Sequence, residues 1–360
     1  MLDRAVTTWK RLCFLARPKR VAITLSMTKG TPSALSTDAA LGAVLGALVG
    51  DAAGAVLEFF GRPITAGDVA HALTMPGGGT WELAPGQITD DGELTMSLLH
   101  ALVEAPESPS SAASARYASW VASDPFDIGE TTARSLGCLR NAGFAARARE
   151  AGIDVAMTEA ARERCVASKA NGSLMRATPL GVWGAVRDDA RLISAVQDDA
   201  RLSHPNAACV DAAVAYVLAI ASLVRAPGDA RRALDSATTW ARAHADDEVR
   251  GWLDEALAGT SVAYTPQDGF VRIAFTHAFR HLHLGTSYVD ALRETLAGGG
   301  DTDTNACIVG GLVGARWGAD SIPEAMKAAV LGCDTRRGKN PRPDVLHPRG
   351  IRTEISALLA

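Results

Sequence analysis

Two short stretches of this sequence concentrate oxygen ligands at the starts of helices. The first is Ile88-Thr89-Asp90-Asp91-Gly92-Glu93, directly before the apolar run Leu94 to Val103. The second is Gly298-Gly299-Gly300-Asp301-Thr302-Asp303-Thr304-Asn305, read as a loop before a helix over 306–318. Thr89 or Asp90 is a natural N-cap, and acids suit a helix N-terminus. Each stretch alone therefore fits a capped helix or a polar turn. Together they offer carboxylates and Thr hydroxyls with no His or Cys. Hard oxygen ligands select Mg²⁺, Mn²⁺ or Ca²⁺ over Zn²⁺. Four acids brought together repel one another unless cations neutralise them. Two cations about 3.5–4 Å apart would bridge them and activate a water.

Other chemistries fail on the same residues. Asp301, Asp303 and Asn305 match the first ligand positions of an EF-hand, but Ala306 and Leu312 stand where Gly and Glu are required. There is no P-loop and no G-x-G-x-x-G after a strand. Ser173 lies in Asn171-Gly172-Ser173-Leu174-Met175-Arg176 rather than in a nucleophile elbow. His277, His281 and His283 have no acid or Cys at ligand spacing and read as a helix face.

The elements that must carry these motifs are helical. The chain has 360 residues, 48% of them hydrophobic and 21% charged, which excludes global disorder. Ala, Leu, Arg and Glu dominate, and apolar residues recur at three- and four-residue spacing over 93–105, 207–225, 229–245 and 322–331. Alternating Val/Ile runs are nearly absent, so we expect an all-α fold. Breaks fall at Pro76 to Gly79, Pro106 to Pro109, Pro227-Gly228, Gly298 to Gly300 and a 338–350 tail. Gly42, Gly46, Gly50 and Gly54 recur every four residues, as do Gly310, Gly314 and Gly318. Such rows make a shallow ridge on one helix face and predict two central helices in close approach. Segment 39–57 has the length of a bilayer span, but Asp51 interrupts it and no second run is comparable, so it reads as a buried core helix.

Charge divides the chain. Residues 1–30 hold seven basic residues and one acidic, a net +6, ahead of a body at −10. We expect a basic arm over 1–37 and one all-α domain over 38–360. The arm has no long apolar core and is a poor signal peptide. It reads as a solvated tail, as a start upstream of Met27, or as an arm that serves a partner. The overall charge of −4 argues against a general nucleic-acid binder. Six scattered cysteines without a C-x-x-C pair suit reduced core residues of a cytoplasmic protein.

The ordered set of motifs resembles the ADP-ribosylglycohydrolase family, which includes the dinitrogenase-reductase-activating glycohydrolase. The matching pieces are Gly50-Asp51-Ala52-Ala53-Gly54 followed by Glu58, Thr89-Asp90-Asp91, the 171–176 stretch, Ser203-His204 and the Gly299–Asn305 motif, spanning about 38–332. The resemblance implies a compact multi-helix fold around a binuclear site holding two Mg²⁺, with Mn²⁺ an alternative. It implies Thr89, Asp90, Asp91, Asp301, Asp303 and Thr304 as metal ligands. It implies Glu58, Asp91 and Asp303 in catalysis, and Asn171, Gly172, Ser173, Met175, His204, Gly299 and Gly300 around ADP-ribose. Many members continue Thr-Asp-Asp with Thr. Here Gly92-Glu93 follow, and Glu93 is expected to alter the substrate rim.

The activity implied is release of ADP-ribose from a modified protein, above all from arginine through its N-glycosidic bond. Two alternatives stay open. One is an O-linked or nucleic-acid substrate: ADP-ribosylserine, O-acetyl-ADP-ribose or ADP-ribosylated nucleic acid. The other is an immunity protein that neutralises an ADP-ribosyltransferase toxin through its basic arm as well as by hydrolysis.

Overall fold

The computed structural model describes residues 35–360, and the readings placed on residues 1–34, the basic arm among them, lie outside the described residues. Seventeen α-helices make up the described chain. Among the described residues there is no β-strand, only isolated bridges that pair Gly78 with Leu83 and Ala170 with Phe270.

Two helices organise the rest. The Thr37–Gly54 helix begins at Ser36, whose hydroxyl accepts from the Ala39 amide at 3.0 Å. Every residue from Ala39 to Gly54 is buried, so this helix turns no face to solvent. It lies antiparallel to the Thr302–Trp317 helix, with Gly42 opposite Gly314, Gly46 opposite Gly310 and Gly50 opposite Ala306. A Cβ on Gly46 would stand 2.5 Å from the Gly310 carbonyl oxygen, and at Gly42 and Gly50 the approach is closer still. Each interior glycine weakens a helix by about 0.5–1 kcal/mol against Ala. The offsetting gain is backbone-to-backbone packing that no larger residue permits. Gly318 departs from the expected row. It lies beyond the helix end at φ +78, where it turns the chain.

The glycine register fixes what meets at the end of the pair. Gly54 faces Asp303, and the Thr302 hydroxyl donates to the Gly54 carbonyl at 2.8 Å. The last turn of one central helix is thereby set against the first turn of the other. Helices Thr178–Gly184, Ala207–Arg225 and Val271–Leu284 pack around the pair. Among the described residues, Ala207–Arg225 is the one helix long and apolar enough to cross a membrane, contrary to the expectation that no second run was comparable. Within the protein 89% of that stretch is buried, which is what a core helix needs. On the Val271–Leu284 helix, His277 and His281 are buried while His283 is exposed.

Candidate active site

Helix Asp90–Glu104 begins four residues before its apolar run, and helix Thr302–Trp317 begins four residues before the expected 306. The second motif is therefore not a loop. Asp303 and Thr304 sit inside the first helical turn, because Gly299 and Gly300, at φ +73 and +70, complete the reversal upstream of them. Neither Thr89 nor Asp301, the two N-cap residues, caps its own helix through its side chain. A capped helix alone does not account for either motif.

Asp51 does the capping from the neighbouring central helix. Its carboxylate accepts from the Thr89 amide at 3.0 Å, the Gly92 amide at 2.8 Å and the Thr89 hydroxyl at 2.8 Å. Two of the four orphan amides of a helix start are satisfied this way. A Cβ on Gly92 would come 2.5 Å from Asp51 Oδ2, so the glycine after Thr-Asp-Asp admits this contact. The effect of the sequence departure lies here and not at a substrate rim. Glu93 is corrected accordingly: it is buried, turned away from the cavity, and ion-paired with Arg342.

The two motifs converge. Asp51, Asp91 and Asp303 each bring one carboxylate oxygen within 4.8 Å of the others, and Glu58, Asp127 and Asp303 do the same. Asp303 belongs to both groups. The Thr304 hydroxyl donates to Asp91 Oδ2 at 3.3 Å, and the Thr89 hydroxyl stands 3.5 Å from Asp91 Oδ2 and from Asp303 Oδ2. Asp91 Oδ1 is buried with no partner. Asp301 is held from across the cavity by Asn171 Nδ2 at 2.7 Å, and Trp81 Nε1 donates to Glu58 Oε2 at 2.8 Å. Asp51 and Asp127 belong to this cluster although the sequence reading singled out neither as a site residue. Asp51 had one available signal, a lone acid inside an apolar helix. Asp127, in an irregular loop, had none.

Electrostatics follow from burial. Desolvation pushes the Asp51 carboxyl up to about 7 despite its hydrogen bonds with Thr89 and Gly92. Burial, then the charge on Asp127, pushes Glu58 up to about 8. Burial, then the charge on Asp301, pushes Asp127 up to about 6. Asp90, Asp91 and Asp303 are also held well above the ordinary carboxylate range, by burial first and by their neighbours' charges second. So many acids with no cation among them form a site short of positive charge. The all-oxygen donor set and the unpartnered Asp91 Oδ1 fit a hard divalent cation.

A cavity of about 1110 Å³ opens above this cluster. Its lining includes Glu58, Asp90, Asp301, Asp303 and Thr304, while Thr89 and Asp91 lie beneath its floor. Asn171, Gly172, Met175, His204, Gly299 and Gly300 also line it. Ser173 does not: it is buried inside the 171–176 turn, its hydroxyl without a partner, because that turn points it into the core. The turn itself is pinned by Arg176, which is fully buried. Its guanidinium donates to the Gly172 carbonyl at 3.0 Å, to the Asp199 carbonyl at 2.9 Å and to Asp199 Oδ2 at 3.1 Å. Burial, then the Arg176 charge, lowers His204 to about 3, so its ring is neutral.

The family model described as ADP-ribosylglycohydrolase matches residues 32–347. The chain belongs to the ADP-ribosylglycohydrolase family. It is accordingly a hydrolase of glycosidic ADP-ribose linkages. It is similar to the ADP-ribosyl-[dinitrogen reductase] glycohydrolase of Rhodospirillum rubrum, at 27% identity over 90% of this chain and 96% of that protein. A shorter stretch is 33% identical to the ADP-ribosylarginine hydrolase Tri1 of Serratia proteamaculans strain 568, over 29% of each chain. A solved structure described as an ADP-ribosylglycohydrolase-related protein complex aligns with a TM-score of 0.65 at 24% identity, across 90% of this chain and 97% of that one. That likeness establishes a shared fold.

Proposed function

We propose that this ADP-ribosylglycohydrolase removes ADP-ribose from modified arginine side chains, using two Mg²⁺ ions or Mn²⁺ in their place. The observation that carries the arginine reading is the charge of the cavity. Seven carboxylates line it against one guanidinium, Arg62, which is already paired with Asp68 at 2.7 Å. With two divalent cations bound and Glu58 protonated, the six remaining carboxylates still leave the lining negative, a field that favours a cationic guanidine over the neutral oxygen of a serine linkage. The rim adds an aromatic group. Phe59, 69% exposed, meets Trp81 edge-on at 6.4 Å, and Trp81 meets Phe126 at 5.8 Å. Aromatic faces attract guanidinium groups.

Thr89, Asp90, Asp91, Asp301, Asp303 and Thr304 would hold the ions. When bound, the ions would supply Lewis acidity at the ribose and a water of lowered pKa. The remaining work falls to the protein's own groups. Glu58, pushed up to about 8, carries a proton that it can give to the leaving guanidine nitrogen. Asp127, raised less, is the partner that takes a proton from the attacking water. Backbone amides of the 171–172 and 299–300 turns can approach a diphosphate closely. Five buried cysteines among the described residues are unpaired, which supports a reducing compartment such as the cytoplasm. The toxin-immunity reading has its motivation in residues 1–30, outside the described residues.

The deciding experiment measures ADP-ribose release from arginine-modified and serine-modified protein, with and without Mg²⁺. We expect the arginine substrate to be cleaved at least about 10-fold more efficiently, and only with metal. Equal or better cleavage of the serine substrate would overturn the linkage assignment.

A further inference from the structure

The residues behind the cluster, on the face away from the cavity, raise a separate question: what holds its carboxylates in register. Asp51 and Asp303 are fixed by the two packed central helices, but the other carboxylates come from three unconnected segments: the start of helix Asp90–Glu104, the loop that carries Asp127, and the turn that carries Glu58. We propose that residues 339–342 form a strap across the back of the site, with Arg342 as a positioning residue for the first two segments and Asn340 for the third. The inference rests on the functional reading above and adds residues that touch neither substrate nor metal.

All five N–H donors of the Arg342 guanidinium are used. Nε donates to Glu93 Oε1 at 2.7 Å, and Nη2 donates to Glu93 Oε2 and to the Ser123 hydroxyl, both at 2.9 Å. Nη1 donates to the carbonyls of Ser123 at 3.0 Å and Asp124 at 3.1 Å. Trp120 Nε1 adds a third bond to Glu93, at 2.7 Å. The pair is nearly dry, with side chains 6% and 2% exposed. Glu93 lies two residues from Asp91. Asp124 lies three residues before Asp127 and sits at φ +56, a strained backbone state that needs outside support. One rigid fork thus fixes both segments at a set distance from each other. Lysine, a point charge with three donors, cannot reproduce this.

The neighbouring strap residues hold the third segment. Asn340 Nδ2 donates to the Trp81 carbonyl at 2.8 Å, and Gln87 Nε2 returns a bond to the Asn340 carbonyl at 2.8 Å. The Lys339 amide donates to the Glu82 carbonyl at 2.9 Å. Trp81 in turn holds Glu58. A separate cavity of about 350 Å³ borders both Arg342 and Glu93. Losing the fork would leave the segments room to drift.

The test compares wild type with Arg342→Lys, with Asn340→Ala, and with the double variant Arg342→Met/Glu93→Leu. The double variant removes both buried charges together and should fold. Thermal melting reports stability, calorimetry on the metal-free protein reports Mn²⁺ affinity, and ADP-ribose release reports kcat and KM. Supporting residues behind metal ligands typically alter metal affinity by about 10–100-fold. We therefore expect Mn²⁺ affinity and kcat each to fall at least about 10-fold in the double variant and in Arg342→Lys. We expect Asn340→Ala to lower kcat, and KM to change less than about 3-fold throughout. A folded double variant with wild-type Mn²⁺ affinity and kcat would overturn the proposal and reduce the pair to a stabilising contact. Should the double variant not fold, wild-type values in both Arg342→Lys and Asn340→Ala would overturn it equally. If the wild type fails to release ADP-ribose from arginine, the functional reading falls, while the Mn²⁺ comparison still decides on the strap.

Discussion

Gly46→Ala should destabilise this protein although alanine is the better helix former. The new Cβ would stand 2.5 Å from the Gly310 carbonyl oxygen and 3.2 Å from both the Gly310 carbonyl carbon and Tyr288 Cε2. Reaching ordinary contact requires the helices to part by about 0.9 Å, which also stretches the 2.8 Å bond from the Tyr288 hydroxyl to the Gly46 carbonyl. Overpacking of this kind costs about 1–3 kcal/mol, and the propensity gain returns about 0.5–1 kcal/mol. The net loss is about 0.5–2 kcal/mol, a fall in Tm of a few degrees for a domain of this size. Gly310→Ala makes the reciprocal clash against the Gly46 carbonyl. Once the helices have parted for one methyl, the second meets less resistance. The double variant should therefore lose less than the sum of the singles, a coupling of the kind neighbouring sites show. Gly251→Ala is the control. It lies in helix Asp247–Leu257 with nothing near its would-be Cβ, and should gain about 0.5–1 kcal/mol. Calorimetric melting of the four variants decides the matter. A neutral or stabilised Gly46→Ala, or strict additivity in the double, would refute close backbone contact as the reason for the glycine rows.

Asp303→Ala should lower activity at least about 10²-fold, since Asp303 belongs to both carboxylate groups, and EDTA should mimic it with Mg²⁺ or Mn²⁺ restoring the wild type. Full activity of the wild type in EDTA would contradict this. Glu58→Gln and Asp127→Asn should each reduce kcat by about 10²–10⁴-fold while ADP-ribose still binds, as kinetics and calorimetry together would establish. The metal-free protein should lose stability as pH rises. Asp51, Glu58 and Asp127 are raised to about 7, 8 and 6, above their unfolded values, so the native state binds more protons than the unfolded chain. The contribution is full below about pH 4 and is lost by about pH 8. Added Mg²⁺ should consequently raise Tm more at pH 8 than at pH 5, and an equal gain at both would count against the reading.

Much of this site was legible because its chemistry is local. Thr89-Asp90-Asp91 and Asp301 to Thr304 offer hard oxygen donors by type alone, and the glycine rows announce that the helix carrying Asp303 and Thr304 packs against the Thr37–Gly54 helix. The hidden parts depend on tertiary placement. Asp51 sits in a run of Ala and Gly whose pattern speaks only of burial, and its partner amides lie 38 and 41 residues away. Asp127 lies two residues after Pro125 in a loop with no period. Glu93 was misplaced because sequence adjacency to Asp91 does not tell which side of a helix a residue takes. Ser173 was misplaced for the same reason, since a turn splits its neighbours between cavity and core. The 338–350 segment read as a tail because nothing local reveals that Arg342 reaches back 249 residues to Glu93.

The antiparallel glycine pairing also sets a timetable. Gly54 and Thr302, which touch at the end of the pair, are separated by 248 residues. At about 5–20 residues per second, the ribosome needs on the order of 10–50 s to deliver the second helix after the first has emerged. During that interval the Thr37–Gly54 helix lacks the partner that covers its glycine face. Non-local pairing of this kind slows folding and exposes sticky surface. The nascent chain is thus a natural client for chaperones, and a chain cut short before Trp317 should aggregate rather than persist as a smaller folded protein. It also means that the carboxylate cluster stays incomplete on the ribosome until the segment that carries Asp301 and Asp303 has emerged.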